Sequence, residues 1–104
     1  MNSADSGNDI LKTVFRRNAD VVSRKIAGEF FLVPIRGNLA DMQKIFTLNP
    51  VGEYIWQQLD AEKTLGDIRD GIMDTFDVEE DRANCDIREF LGELLEEDLV
   101  GRIG

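Results

Sequence analysis

The chain has 104 residues, close to the commonest size of a single domain and too short for two separate hydrophobic cores. Apolar residues make up 42% of the sequence and charged residues 32%, so we expect one compact, soluble domain with a heavily charged surface. There is no histidine and only one cysteine, Cys85, which leaves nothing from which to build a zinc site, a Cys–His catalytic pair or an intrachain disulfide. We therefore predict no catalytic residues, no metal site and no cofactor.

The net charge of −9 is concentrated in the second half of the chain. Residues 1–59 carry seven Lys/Arg and six Asp/Glu, whereas residues 60–98 carry four Lys/Arg and 15 Asp/Glu. Such a surface would repel phosphates, so nucleic acid is not an expected partner, while a cationic protein or peptide is easier to accommodate. The same acidic residues are also compatible with helix faces that contact only solvent.

The sequence lacks the signals of a membrane or secreted protein. No stretch approaches the roughly 20 apolar residues that cross a bilayer, and the N-terminus lacks the basic-then-apolar profile of a signal peptide. We expect a cytoplasmic protein with no membrane partner.

Residues 1–9 are rich in Asn, Ser, Gly and Asp and predict a flexible tail, which leaves residues 10–104 for the folded domain. Residues 10–15 could dock as a strand or as a helical turn, and the pattern does not decide between them.

The first predicted elements are strands. Residues 21–26 and 29–34 are rich in β-branched and aromatic residues and flank Ala27-Gly28, which predicts a β-hairpin whose second strand ends at Pro34. Residues 36–41 predict a connecting loop and residues 42–48 a third strand. Alternation along that strand places Met42, Phe46 and Leu48 on one face and Gln43, Ile45 and Thr47 on the other.

Three helices are predicted to follow. Asn49-Pro50 is a strong helix start, and the first helix should run to about Leu59 with Trp56 in the core. Thr64 and Asp67 are close to a capping box for a second helix, in which apolar residues recur at helical spacing up to Phe76. The third helix should span residues 79 to about 98. Its apolar stripe comprises Ala83, Ile87, Phe90, Leu91, Leu94 and Leu95, and residues 99–103 can close the domain as a final extended segment.

Specific motifs occur in a fixed order within these elements. Leu48-Asn49-Pro50-x-Gly52 enters the first helix, Ile55-Trp56 lies within it, and Asp86-Ile87-x-x-Phe90-Leu91-x-x-Leu94 lies in the third. This ordered set resembles the coenzyme PQQ synthesis protein D (PqqD) family over residues 21–103. The resemblance implies an α+β, winged helix-turn-helix fold, with a three-stranded antiparallel sheet followed by three helices, of the type called a RiPP recognition element. RiPP stands for ribosomally synthesised, post-translationally modified peptide.

The resemblance also implies a function. Members of the family bind the leader of a precursor peptide and present it to a modifying enzyme, which in the PQQ case is a radical S-adenosylmethionine (SAM) enzyme, and they are not themselves catalysts. In such modules the leader adds as an extra strand beside the third strand, with its side chains in a groove against the third helix. Many relatives serve other peptide pathways, so PQQ biosynthesis is one candidate among several.

Carried onto this sequence, the resemblance predicts two sets of peptide-binding residues. The pairing strand would be residues 43–48, with peptide-binding residues Gln43, Lys44, Ile45, Phe46 and Thr47. Of these, Ile45 and Thr47 lie on the less buried side of the strand and are the expected contacts. On the third helix, helical spacing places a second set on one flank of the apolar stripe: Asp86, Phe90, Glu93 and Glu97. Phe90 would offer an apolar contact and the three acids could pair with Lys or Arg of the peptide. Phe90 is equally compatible with the core.

Three other classes of protein are compatible with parts of the pattern. A winged-helix DNA-binding transcription regulator would use the same helix arrangement, although its third helix would present many acids to phosphates. An enzyme that uses paired carboxylates would need a cleft that separates their pKa values, and nothing in the sequence locates one. A structural or dimerisation module would differ from a peptide-binding module mainly in its partner.

Overall fold

The computed structural model describes residues 11–36, 39–40 and 45–103. In chain order the elements are β1 (Val14–Arg17), β2 (Val21–Ile26), β3 (Glu29–Arg36), β4 (Leu39–Ala40), β5 (Phe46–Leu48), α1 (Pro50–Gln58), β6 (Asp60–Thr64), α2 (Leu65–Phe76), α3 (Glu80–Glu96) and β7 (Val100–Ile103). The predicted α+β class and the three helices are confirmed. The predicted tail, residues 1–9, lies outside the described residues.

The first sheet is built around β3. β2 and β3 form the predicted antiparallel hairpin, in which Val21 is opposite Pro34 and Ile26 is opposite Glu29. The two turn residues, Ala27 and Gly28, have φ of 53° and 83°, the left-handed conformation that a two-residue type I′ turn requires. Glycine adopts that conformation without strain, which explains why a glycine is found at the turn.

The prediction that Pro34 ends the strand is wrong, because β3 continues to Arg36. The N–H of Ile35 donates to the carbonyl of Asp20 at 2.7 Å, so the backbone of Ile35 faces the β2 side. Backbone groups alternate along a strand, and the nitrogen of Pro34 therefore faces the other side of β3. There it falls between Leu32, which is paired with β5, and Ile35, which is paired with β4. The missing N–H thus removes none of the ladder hydrogen bonds between the strands that the structure describes.

The other side of β3 is shared by two short strands. β4 is opposite residues 35–36 and β5 is opposite residues 30–32, both antiparallel. The sheet is therefore three strands wide, as predicted. The predicted loop over 36–41 is wrong in part, since Arg36 belongs to β3 and residues 39–40 form β4. Of the predicted third strand, residues 46–48 are confirmed as β5, Ile45 precedes the strand, and residues 42–44 are not among those described.

A second sheet, with strand order β6-β1-β7, was not predicted. β1 lies in the middle and pairs antiparallel with both neighbours, with Val14 opposite Thr64 on one side and Ile103 on the other. The segment whose structure the sequence left open thus contains a strand, and the expected final extended segment is β7. The expectation of one sheet followed by three helices is corrected accordingly. β1 precedes the predicted hairpin, β6 lies between α1 and α2, and β7 follows α3.

β6 is irregular, because its register with β1 shifts between the two paired positions. Ala61 has a φ of 70°, and the Asp60 carboxylate accepts hydrogen bonds from the N–H groups of Glu62 and Lys63 at 3.0 and 3.1 Å. The Lys63 ammonium lies 2.8 Å from the same carboxylate. The hydrogen bond from the Lys63 side chain and those from the two backbone N–H groups lower the pKa of Asp60 well below its usual value. Asp60 thus stabilises the bulge while ionised.

The helix starts are those that the sequence encodes. The Asn49 side chain accepts a hydrogen bond from the N–H of Gly52 at 2.7 Å, which caps α1. At the start of α2, Thr64 and Asp67 form the reciprocal bonds of a capping box, both at 3.1 Å. α1 ends at Gln58 and α3 spans 80–96, each within two residues of the predicted bounds.

One core joins the helices to both sheets. Its buried residues are Phe15, Phe30, Leu32, Leu48, Ile55, Trp56, Leu59, Leu65, Ile68, Ile72, Ala83, Ile87, Leu91, Leu94, Leu99 and Val100. Trp56 is 3% exposed, so its assignment to the core is confirmed. Leu95 is 44% exposed, and its predicted place in the buried stripe of α3 is wrong. Among the helices that the structure describes, none is long and apolar enough to cross a membrane.

Candidate functional site

β5 is the edge of the first sheet. It pairs with β3 through Phe46, Thr47 and Leu48, and none of the described strands pairs with its other side. Because the backbone of Ile35 faces β2, alternation directs the backbone groups of Phe30 and Leu32 toward β5. Thr47, opposite Phe31 between those two pairs, directs its N–H and C=O to the open side. A donor and an acceptor that no described strand uses are thus available to an added strand.

A groove separates this strand edge from the C-terminal half of α3. Its lining residues are Ile45, Phe46, Thr47, Glu93, Glu96 and Glu97. The strand contributes half-buried apolar side chains, Ile45 and Phe46, while the helix contributes only carboxylates. The groove therefore has one apolar wall and one acidic wall.

A second cavity lies beside this groove, between α3 and the start of α1. It has a volume of about 130 Å³ and is lined by Asn49, Val51, Gly52, Ile55, Asp86, Glu89, Phe90 and Glu93. Glu93 lines both spaces, so the two lie next to each other along α3, and together we call them the depression. We call the part beside β5 the strand groove and the part between α1 and α3 the helix cavity.

The structure brings the two predicted sets of residues together. Ile45, Phe46 and Thr47 lie across the strand groove from Glu93 and Glu97. Asp86 and Phe90 line the helix cavity one to two turns away. Gln43 and Lys44, which complete the predicted strand set, lie outside the described residues.

Several lining residues were missed by the sequence analysis. Glu89 and Glu96 flank the predicted residues on α3, and their helical spacing of three from Asp86 and Glu93 could have identified them. The walls from α1 carried no such signal, because they depend on how α1 packs against α3. Those residues are Asn49, Val51, Gly52 and Ile55.

Phe90 contacts α1 and also lines the cavity. It is half-buried and packs against the core, and its contact with a peptide stays a prediction. A Cβ built on Gly52 would lie 3.4 Å from Cε1 of Phe90 and 3.2 Å from Oδ1 of Asn49. The absence of a side chain at Gly52 therefore allows the Phe90 ring to lie against the start of α1.

Only some of the carboxylates at the site have partners. Arg82 Nε lies 3.3 Å from Asp86 Oδ1, and the Cys85 thiol lies 3.5 Å from Glu89 Oε2. The Glu93 carboxylate has no ion-pair or hydrogen-bond partner among the described residues.

The Cys85 thiol is affected by its contact with Glu89. Its hydrogen bond to the Glu89 carboxylate and the negative charge of that carboxylate raise the pKa of the thiol. A raised pKa leaves a smaller fraction of Cys85 as the reactive thiolate at a given pH.

The thiol gives a direct measure of the charge on Glu89. Glu89→Gln should lower the pKa of Cys85 and increase the rate of alkylation by iodoacetamide several-fold near pH 8, because the thiolate is the nucleophile. The rate can be followed by mass spectrometry, since Cys85 is the single cysteine. Glu62→Gln removes the same charge far from the thiol and should leave the rate unchanged. An unchanged or slower rate in Glu89→Gln would contradict this assignment.

The fold and this depression define a small α+β domain with an open strand edge beside an acidic helix. No group of three or more His, Cys, Asp or Glu side chains in the described ranges is arranged to hold a metal ion. The family model for coenzyme PQQ synthesis protein D (PqqD) matches residues 29–100, most of the chain, and the chain therefore belongs to the PqqD family.

A solved structure with a similar fold is TbiB1 in complex with the TbiA(beta) leader peptide. The two chains share 28% sequence identity and superimpose with a TM-score of 0.66, over 82% of this chain and 93% of TbiB1. A search of curated proteins found no match.

Proposed function

We propose that this protein is a RiPP recognition element, which binds the leader of a ribosomally made precursor peptide and presents that peptide to a modifying enzyme. The observation that carries the proposal is the open edge of β5 beside the acidic groove on α3. Membership of the PqqD family and similarity to TbiB1, whose structure holds a leader peptide, support the same function. In this proposal the helices and β7 form a winged helix-turn-helix domain.

Binding would begin with the backbone. An extended leader beside β5 could accept a hydrogen bond from the N–H of Thr47 and donate one to its C=O, which extends the sheet by one strand. Each such bond contributes about 0.5–1.5 kcal/mol net and is insensitive to the sequence of the leader. Backbone pairing therefore supplies affinity and alignment, while choice among peptides must come from side chains.

The alternation of side chains along an added strand would decide which side chains of the leader enter the depression. Side chains in neighbouring strands share a face when their residues are opposite each other. Phe46 and Leu48 face the core side, with Leu48 buried and Phe46 half-buried. Leader residues opposite them would direct their side chains into the depression, and the residue opposite Thr47 would direct its side chain to the other, exposed face of the sheet. Two leader positions separated by one residue are therefore expected to carry the specificity.

The chemistry of modification belongs to a separate enzyme in this proposal. A domain that holds the leader by its backbone leaves the rest of the precursor free to enter another active site. A radical SAM enzyme is one candidate partner, as in PQQ biosynthesis, and other peptide-modifying enzymes are compatible with the same site.

The experiment is a titration of the ¹⁵N-labelled chain with synthetic leaders of short precursor peptides encoded near its gene. We expect the amide signals of residues 45–48 and of the α3 residues Asp86, Phe90, Glu93 and Glu97 to shift together and to saturate. A scrambled leader of the same composition is the control and should cause smaller, non-saturating shifts. If a leader binds but these residues do not respond, the site is wrong, and if none binds, the function is wrong.

A DNA-binding role has less support. The recognition helix of such a domain would be α3, and the residues it exposes include Glu89, Glu93 and Glu96, with Arg82 already paired to Asp86. Phosphates would be repelled rather than attracted by that surface. A salt-dependent shift of duplex DNA by the purified chain would reverse this ranking.

A further inference from the structure

We propose that the helix cavity receives a single cationic side chain of the bound peptide, an arginine or a lysine, and that this contact selects the peptide. The inference rests on the proposed function and adds to it the chemistry of one specificity position. It concerns the cavity between α1 and α3, which is separate from the backbone ladder on β5.

The dimensions of the helix cavity suit one side chain. Its volume of about 130 Å³ is close to that of an engineered protein cavity of about 150 Å³ that binds benzene. Its walls include Val51, Ile55 and the ring of Phe90, which can contact the aliphatic stem of a long side chain. A guanidinium or ammonium group can also lie against the aromatic ring of Phe90.

The charge around the cavity favours a cation over an anion. Three carboxylates line it, those of Asp86, Glu89 and Glu93, and Arg82 offsets one of them. The start of α1 also contributes about half a positive charge, part of which the Asn49 cap already satisfies. The balance remains negative, at about −1.5 elementary charges. The Glu93 carboxylate, unpaired within the part of the chain that the structure describes, is available to the incoming cation.

Strand pairing places one peptide residue at the cavity. Leu48 is the last residue of β5, and its Cβ is 3.5 Å from the position that a Cβ on Gly52 would occupy. Gly52 lines the helix cavity, so the peptide residue opposite Leu48 is the one whose side chain can reach it. The neighbouring inward position, opposite Phe46, faces the strand groove instead. The cation is therefore expected at one fixed position of the bound segment.

A peptide library tests the inference without knowledge of the natural precursor. The full chain is used to select binders from a display library of random peptides of about a dozen residues, and the selected sequences are aligned. We expect arginine and lysine to be enriched about three- to tenfold at one aligned position. Selection with Glu89→Gln/Glu93→Gln should abolish this enrichment. The control Glu62→Gln/Asp74→Asn removes the same charge from exposed sites away from the cavity and should retain it.

Each outcome separates the inference from the proposed function. Binders without a cationic position, binders with an acidic residue at that position, or enrichment that survives Glu89→Gln/Glu93→Gln would overturn the inference alone. Complete absence of binders would overturn the proposed function and the inference with it. Loss of the enrichment in both double variants would show that the net charge of the protein, and not the cavity, selects the cation, which also overturns the inference.

Discussion

Replacing Thr47 with proline should weaken leader binding at least tenfold while the domain remains folded. The N–H of Thr47 faces the open side of β5, so its loss breaks no bond to β3. Proline is tolerated on edge strands where its nitrogen faces solvent. It removes the donor that an added strand needs, and its ring obstructs the approach of a second backbone. The measurement is isothermal titration calorimetry with the leader, together with thermal unfolding of the variant.

Two matched substitutions isolate the backbone effect. Thr47→Val keeps the N–H and the β-branched shape of this exposed residue and should bind the leader within about twofold of the wild type, because the backbone groups of the edge strand are unchanged. Phe46→Pro removes a hydrogen bond to β3 itself and should lower the free energy of unfolding strongly. Wild-type affinity in Thr47→Pro, with the domain folded, would exclude strand addition at β5.

The elements that the sequence predicted correctly are those whose structure is set by residues close together in the chain. Helix starts are set by side chains that bond to amides three residues away, as Asn49 does to Gly52 and Thr64 to Asp67. The β2–β3 hairpin is likewise set by its two-residue turn at Ala27-Gly28. Contacts of this range can be recognised in the sequence without knowledge of the remainder of the chain.

The second sheet could not be predicted in this way. β1 pairs with residues from the far end of the chain, as Val14 does with Ile103, and nothing near either residue signals the pairing. β6 has the sequence Asp-Ala-Glu-Lys-Thr, with no alternation of apolar residues. Its place in the sheet depends on a bulge that the Asp60 carboxylate stabilises. A bulge interrupts the period of two that identifies a strand, and non-local pairing leaves no turn signal between the two strands.

In the candidate site, too, the features set by residues close together in the chain were predicted, and those set by packing between distant elements were not. Helical spacing was sufficient to place Asp86, Phe90 and Glu93 on one flank of α3, and they lie together in the structure. The sequence did not predict that the start of α1 would form the opposite wall, because that depends on the close contact between Gly52 and Phe90. The flank was thus predictable from one element, while the cavity required two.

The largest expected effect on stability is that of Leu94→Ala. Leu94 is fully buried on α3, whereas its neighbour Leu95 on the same helix is 44% exposed. Truncation of a buried leucine to alanine costs about 2–5 kcal/mol, because it loses apolar burial and leaves a cavity. A domain of this size has a total stability of about 5–15 kcal/mol, so Leu94→Ala should remove a large part of it. Urea unfolding followed by circular dichroism measures the loss.

Leu95→Ala is the matched control, since it makes the same chemical change on the same helix. The difference in helix propensity is identical in the two variants, and only burial distinguishes them. We expect Leu95→Ala to change the free energy of unfolding by less than about 1 kcal/mol. Equal losses in the two variants would mean that Leu95 is buried in solution, either in the core or against another molecule. Because Leu95 lines neither the strand groove nor the helix cavity, a folded Leu95→Ala should bind the leader as the wild type does.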